Sequence, residues 1–220
     1  KMITGAVQPD AGDIEIGQTI KIGYYAQECD MPDDKRVIDY IRDVAEIIDT
    51  TEGKVTAARM LEKFLFSGED QYGLVGKLSG GEKRRLNLCR VLMEAPNVLI
   101  LDEPCAGLDP RGRDQILDLI RSYRDRTGAT VLFVSHSMED VARICRRVLV
   151  MHRGQVAAYG PVADVYANAE ELRQMGLNVP QVTDIFLDLR RRGVSCRTDI
   201  FTVDDGVREF QRLKREGVRL

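Results

Sequence analysis

The chain has 220 residues, 44% of them hydrophobic and 30% charged, with 32 basic against 35 acidic side chains and no tryptophan. A globular chain of this size buries roughly 70% of the surface its unfolded form exposes, enough for one large or two small domains. Its longest uninterrupted apolar run is four residues, far short of the ~18 to 20 that a membrane-spanning helix needs. A formal net charge of −3 argues against a dedicated nucleic-acid binder, and DNA is not an expected partner.

The opening KMITGAVQPDAG has neither an apolar stretch nor a small-residue cleavage site, so no signal peptide is expected and the cytoplasm is the expected compartment. From Ala11 to Ala26 apolar and polar residues alternate (Ile14, Ile16, Ile20, Ile22, Tyr24), with Gly12, Gly17 and Gly23 as breaks; this predicts a small antiparallel β-element. From Val37 to Leu65 the apolar spacing becomes helical, through Val37, Ile38, Ile41, Val44 and Ala45 and then Met60, Leu61, Phe64 and Leu65. After Pro96 the pattern is strand, helix, strand. Val98 to Leu101 and Thr130 to Val134 flank a helix face of Ile116, Leu117, Leu119, Ile120 and Tyr123, which predicts an α/β core with a parallel sheet buried on both faces. Val148 to Met151 and Gln155 to Tyr159, split by Arg153-Gly154, predict a hairpin. Beyond Pro161 the pattern is mostly helical and includes a basic run, Arg190 to Arg192. The five cysteines (Cys29, Cys89, Cys105, Cys145 and Cys196) lack C-x-x-C spacing and are expected to be reduced, mostly buried thiols.

Four motifs and one glutamine carry chemistry. In LSGGEKRRL, Leu78 to Leu86, Ser79 and Glu82 form an S-x-x-E capping box that any helix can use. Gly80 and Gly81 also remove side chains where an anion would approach, and the helix start offers N–H groups and the positive dipole end. VLILDEP ends an apolar strand in Asp102 and Glu103. Carboxylates at the C-terminal end of a buried strand lie at the crevice where open α/β sheets bind ligands. There Asp102 suits a Mg²⁺ shell, which needs only one or two protein carboxylates, and Glu103 suits a water. In AGLDP, Asp109 before Pro110 serves as a helix cap, a role compatible with function. In VLFVSHS, His136 follows the second apolar strand and is expected at the same sheet edge, within reach of a phosphate; Ser137 and Asp140 start the next helix. Gln27, at the junction of the β-element and the helical region, places an amide where it can reach a metal or a water.

Taken in this order, the glutamine, LSGGE, the Asp-Glu strand end, the Leu-Asp loop and the strand-end histidine resemble the ATP-binding cassette (ABC) ATPases over about Lys1 to Gly160. The resemblance implies a P-loop NTPase-like α/β core at residues 1–160 with an antiparallel β-element and a helical subdomain at about 33–95, followed by a helical extension at 161–220. It implies ATP and Mg²⁺ as cofactors. Gln27 is then the Q-loop residue that, with Asp102, reaches the metal. Ser79, Gly80, Gly81 and Glu82 are the signature that completes the phosphate site of a second cassette, Glu103 is the catalytic base, Asp109 the D-loop aspartate and His136 the switch histidine. Catalysis in such a site rests on positioning and charge stabilisation of the γ-phosphoryl group. One departure stands out: no G-x-x-x-x-G-K-[ST] occurs, and Gly53-Lys54 and Gly76-Lys77 lack both the earlier glycine and the hydroxyl. KMITG resembles the end of the helix that follows this phosphate loop, so an N-terminal truncation is expected, with weak ATP binding and no activity for the chain by itself.

Within the family, Lys1 to about Pro104 (GYYAQE, VIDYIRDVAEII, GKLSGGEKRRLNLCRVLMEAPNVLILDEP) resembles the ribosome-acting ABC-F proteins. From Cys105 onward, AGLDPRGRDQILDLI, SHSMEDVARICRRVLVM and AEELRQMGLNVPQVTDIFLDLRRRG resemble ATPase subunits of energy-coupling factor (ECF) importers. Cys105-Ala106 stand where an ABC-F protein is expected to have Thr-Asn. The resemblance implies an ECF-type ATPase subunit that powers solute import. Its partners are a second ABC ATPase subunit and membrane-embedded transporter subunits, and its place is the cytoplasm, peripheral at the inner face of the cell membrane. The alternatives are a ribosome-associated ATPase, with Lys83 to Arg85 and Arg90 facing RNA or simply solvated, and an incomplete cassette that lends its signature to a partner.

Overall fold

The computed structural model describes residues 2–27, 30–50 and 53–218; Cys29 lies outside them. The chain divides into two compact units, Lys1–Val134 and Ser135–Leu220. The first contains β1 (Ile22–Tyr25), α1 (Val37–Arg42), β2 (Ile47–Thr50), β3 (Gly53–Thr56), α2 (Ala57–Lys63) and α3 (Gly68–Tyr72). It continues with α4 (Gly80–Met93), β4 (Val98–Asp102), α5 (Pro110–Thr127) and β5 (Thr130–Val134). Among the described residues no helix is long and apolar enough to cross a membrane.

A parallel sheet in the order β1-β4-β5 organises this unit. Leu99, Ile100 and Leu101 are buried, so the central strand is apolar on both faces as its sequence predicts. The edge strand β5 departs from that expectation: Leu132 and Val134 are 45% and 46% exposed. The β-element expected at residues 11–26 also differs. Only Ile22–Tyr25 forms a strand, and it runs parallel to β4. The reason lies at Asn97, whose Oδ1 accepts from the Lys21 N–H (2.8 Å) while its Nδ2 donates to the Thr19 carbonyl (2.7 Å). This amide clamps the entry of β1 beside the entry of β4, so both strands start at the same end. Gly23 allows the approach, since a Cβ there would lie 2.7 Å from Pro96 Cγ.

The helical stretch expected from Val37 to Leu65 is interrupted by the antiparallel hairpin β2-β3. Ile48 and Val55 face each other in register and are both buried, a β-branched cross-strand pair of the kind that stabilises sheets. α4 begins at the capping box and buries Leu86, Leu88, Cys89, Leu92 and Met93. It stops before Ala95, which has φ +50°, and Pro96. α5 has Asp109 as N-cap, Pro110 in its first turn and Gly128 at φ +67° as its stop. It buries Ile116, Leu117, Ile120 and Tyr123, each worth ~1.5–3 kcal/mol when taken fully from water.

The second unit comprises α6 (Met138–Ile144), β6 (Arg147–His152), β7 (Gln155–Pro161), α7 (Val162–Ala167), α8 (Ala169–Gln174), α9 (Gln181–Arg191) and α10 (Val203–Arg215). β6 and β7 form the predicted hairpin, and Arg153 and Gly154, at φ +50° and +76°, turn it with the twist that two-residue loops require. Tyr166 on α7 donates to the Met138 carbonyl (3.0 Å) and meets Phe201 edge-on at 5.9 Å. α9 and α10 enclose a small core of Phe186, Cys196, Ile200 and Leu213. Gly206 sits where a Cβ would come within 2.8 Å of Val182. The basic run is not merely solvated: Arg190 donates to the Cys196 carbonyl (3.0 Å) and Arg192 pairs with Asp188 (2.8 Å).

Candidate nucleotide-phosphate site

Parallel pairing brings the C-terminal ends of β1, β4 and β5 to one edge. Tyr25 pairs with Leu101, and Asp102 with Val134, so Gln27, Asp102 and Glu103 all lie at that edge of the first unit. Asp102 Oδ2 accepts a hydrogen bond from Tyr24 Oη (3.3 Å). Burial raises the Tyr24 hydroxyl above its ordinary value, and the Asp102 charge and hydrogen bond raise it further, so Tyr24 stays a neutral donor. Glu103 has φ +48°, a left-handed conformation that is uncommon outside glycine and that clusters at functional sites. It is held there because its N–H donates to the Val134 carbonyl (3.0 Å) and its carbonyl accepts from the Ala106 N–H (3.1 Å). Gln27 is exposed, two residues past β1.

At the start of α4 the capping role is plainly occupied. Ser79 Oγ accepts from the Glu82 N–H (3.3 Å) and donates to Glu82 Oε2 (2.7 Å), which also accepts from the Ser79 N–H (2.8 Å). These bonds to Ser79 hold the Glu82 carboxyl below the usual range. Gly80 and Gly81 are the first two helical residues, whose N–H groups have no acceptor within a helix. A Cβ at Gly80 would meet nothing within 4 Å, whereas one at Gly81 would touch Leu108 at 3.5 Å. The start of α4 thus packs beside the loop that carries Asp109. Asp109 itself caps α5, with Oδ1 accepting from the Gly112 N–H (2.7 Å). His136 belongs to the second unit, exposed just before α6. There Ser137 Oγ accepts from the Asp140 N–H (3.3 Å).

Three residues to which the motifs gave no role enter this region. Tyr24 was hidden because strand pairing is not written in β1 alone. Leu108 covers Gly81. Arg84, one turn beyond Gly80, reaches toward Gly107, and its Nη1 is buried without a hydrogen-bond acceptor among the described residues; the i, i+4 spacing was the available signal. The other basic residues of this helix are engaged inside the chain. Lys83 pairs with Asp33 (3.0 Å), Arg85 donates to Gln115 (3.0 Å) and lies 5.7 Å from the Phe66 ring, and Arg90 lies 5.7 Å from the Tyr40 ring.

A carboxylate and an amide on neighbouring strand ends are a donor set suited to Mg²⁺, which keeps most of its waters. A fourteen-residue helix that opens on two unshielded glycines suits a phosphate.

Known proteins resemble the chain in sequence and in fold. Residues 1–106 match the family model described as ABC transporter. The chain is 52% identical over 130 residues to the energy-coupling factor transporter ATP-binding protein EcfA2 of Symbiobacterium thermophilum, covering 59% of this chain and 45% of that protein. The EcfA2 of Clostridium perfringens is 49% identical over 126 residues, covering 57% and 44%. The ABC transporter ATP-binding protein YfmR of Bacillus subtilis, whose function is uncharacterised, is 45% identical over 150 residues, covering 67% and 23%. The chain spans about half the length of the EcfA2 relatives it matches, and less of YfmR. In three dimensions it is similar to a solved ABC transporter of metal-chelate type in an inward-facing conformation, with a TM-score of 0.65 and 22% identity over 79% of this chain and 70% of that one. The chain therefore has the α/β fold of an ABC ATPase, and its sequence relatives include the ATP-binding proteins of energy-coupling factor transporters.

Proposed function

We propose that the chain is part of an ATP-binding and ATP-hydrolysing subunit of an ABC transporter of energy-coupling factor type, which powers solute import from the cytoplasmic face of the membrane. The observation that carries this reading is the shared strand edge, where Asp102, Glu103 and Gln27 converge and Glu103 is fixed in a left-handed conformation by the Val134 carbonyl. In this reading Asp102 and Gln27 hold Mg²⁺, which would neutralise charge on the phosphates. Glu103 accepts a proton from the attacking water or orients it, and His136, which follows β5 by two residues, contacts the transferred phosphoryl group. Ser79, Gly80, Gly81 and Glu82 close the nucleotide held by a second ATPase subunit. The tail, residues 161–220, supports that pairing, and the helical region at 33–95 docks the membrane-embedded subunits. The 220 residues contain no G-x-x-x-x-G-K-[ST], so they bind ATP weakly unless a phosphate loop is supplied.

The test uses the chain joined to a segment that bears this loop. Glu103→Gln should abolish ATP turnover and leave ATP binding intact, as a base or water-orienting role requires. Undiminished hydrolysis by this variant overturns the assignment.

A further inference from the structure

In the parallel pairing of β1 with β4, Tyr24 stands opposite Ile100. Side chains alternate along a strand and residues in register share a face, so Tyr24, Ile100 and Asp102 line the same side of the sheet. The two-residue step from Ile100 to Asp102 is ~6.6 Å, a span that a tyrosine side chain covers, and Tyr24 Oη donates to Asp102 Oδ2 at 3.3 Å. Both residues are half-buried, so the bond is partly shielded from water while the carboxylate stays open to a ligand. Packing at this position asks for no more than a phenylalanine; the hydroxyl acts on Asp102. Pairing of Asp102 with Val134 on β5 fixes its main chain, but leaves the carboxylate free to turn about its side-chain bonds. The Tyr24 hydroxyl restricts that rotation and occupies one of the two oxygens.

We propose that Tyr24 is a positioning residue that leaves Asp102 a single oxygen, Oδ1, for a cation and so biases this strand edge toward Mg²⁺ and against Ca²⁺. The proposal rests on the metal role given to Asp102 above. Ca²⁺ takes more oxygens in a flexible geometry and can use both oxygens of one carboxylate, whereas Mg²⁺ demands a near-octahedral shell, keeps several waters and needs a carboxylate at one point only. A carboxylate whose second oxygen is already engaged suits Mg²⁺. Hydrogen-bond partners of metal-ligating side chains are worth ~10- to 100-fold in metal affinity, enough for the loss of one hydroxyl to be read as a change of metal preference.

Mn²⁺ is the probe, because its paramagnetism broadens the resonances of nearby nuclei even when it binds weakly, and the full chain labelled with ¹⁵N is the reporter. Mn²⁺ should broaden the Asp102 and Glu103 amides of the unaltered chain, and Mg²⁺ and Ca²⁺ should each reverse this by competition. Asp102→Asn should abolish the broadening. In Tyr24→Phe the ratio of the Mg²⁺ and Ca²⁺ competition constants should shift at least ~10-fold toward Ca²⁺, with hydrogen-exchange protection of β4 unchanged. A merely structural role for the hydroxyl does not produce that combination. An unshifted ratio in Tyr24→Phe, or a shift that comes only with lost β4 protection, overturns the role of Tyr24 and leaves the metal reading standing. Broadening that is absent from the unaltered chain, or that survives Asp102→Asn, overturns both.

Discussion

Glu209→Gln should destabilise the tail at neutral pH and lose this effect in acid. Glu209 is 3% exposed. It accepts from Arg212 Nε (2.9 Å) and Nη2 (2.6 Å) and from the Arg197 backbone N–H (2.8 Å). Led by the Arg212 bonds, these contacts hold its carboxyl at about 2 instead of 4.5. Because the folded-state value is depressed, the stabilisation is fully present above pH ~4.5 and is lost as the pH falls from there through about 2. At full strength the difference corresponds to ~3 kcal/mol. The Arg212 side chain is 38% exposed, and solvent screening brings the expected contribution to ~1–2 kcal/mol. Glutamine keeps the shape of the side chain, and Arg212 retains Glu216 at 2.6 Å, so the change isolates the charge. Hydrogen exchange of α10 amides, read by mass spectrometry, gives the local opening energy. Protection should fall ~5- to 30-fold at pH 7, and the two proteins should converge near pH 2. An equal loss of protection at both pH values, or none at pH 7, would refute the reasoning.

Two glycines give opposite expectations. Gly23→Ala places a Cβ 2.7 Å from Pro96 Cγ and 3.0 Å from Val91 Cγ1, and should cost the first unit about 1–3 kcal/mol by overpacking; an unchanged urea midpoint contradicts this. Gly80→Ala enters open space at a helix start where alanine is tolerated, so stability should hold. On the proposed function, the unaltered chain should restore ATP turnover to a partner cassette whose own signature is disabled and the Gly80→Ala variant should not; restoration by the variant would show that phosphate does not approach Gly80.

The elements that were legible in the sequence are those whose signal is local. α5 announces itself through Asp109-Pro110 and its apolar face, and the β6-β7 hairpin through Arg153-Gly154 between two apolar runs. Asp102 and Glu103 were readable because an apolar strand that ends in two carboxylates needs no partner to be recognised. What escaped depended on pairing. β1 has the same alternation whether its neighbour is parallel or antiparallel, and the Asn97 clamp that decides between them lies far along the chain. β2-β3 was obscured because Val44 and Ala45 extend the helical spacing of α1, while Ile48 and Val55 become partners only once Thr50 is set opposite Gly53. Tyr24 was missed for the same reason as the parallel pairing that delivers it to Asp102.

The placement of Glu103 is a property of backbone rather than of side-chain packing. A non-glycine residue in the left-handed region costs of order 1–3 kcal/mol, and here the cost is borne by two main-chain bonds, to Val134 on one side and Ala106 on the other. The first bond makes the orientation of the carboxylate depend on the parallel register of β5. The second starts the turn that leads through Leu108, against Gly81, to the Asp109 cap of α5. A shift of the start of α4 would therefore press on Leu108 and, through that short loop, on the backbone of Glu103. Glu103 and the two glycines that open α4 are thus joined through Leu108 within one unit, with no contact between their own side chains required.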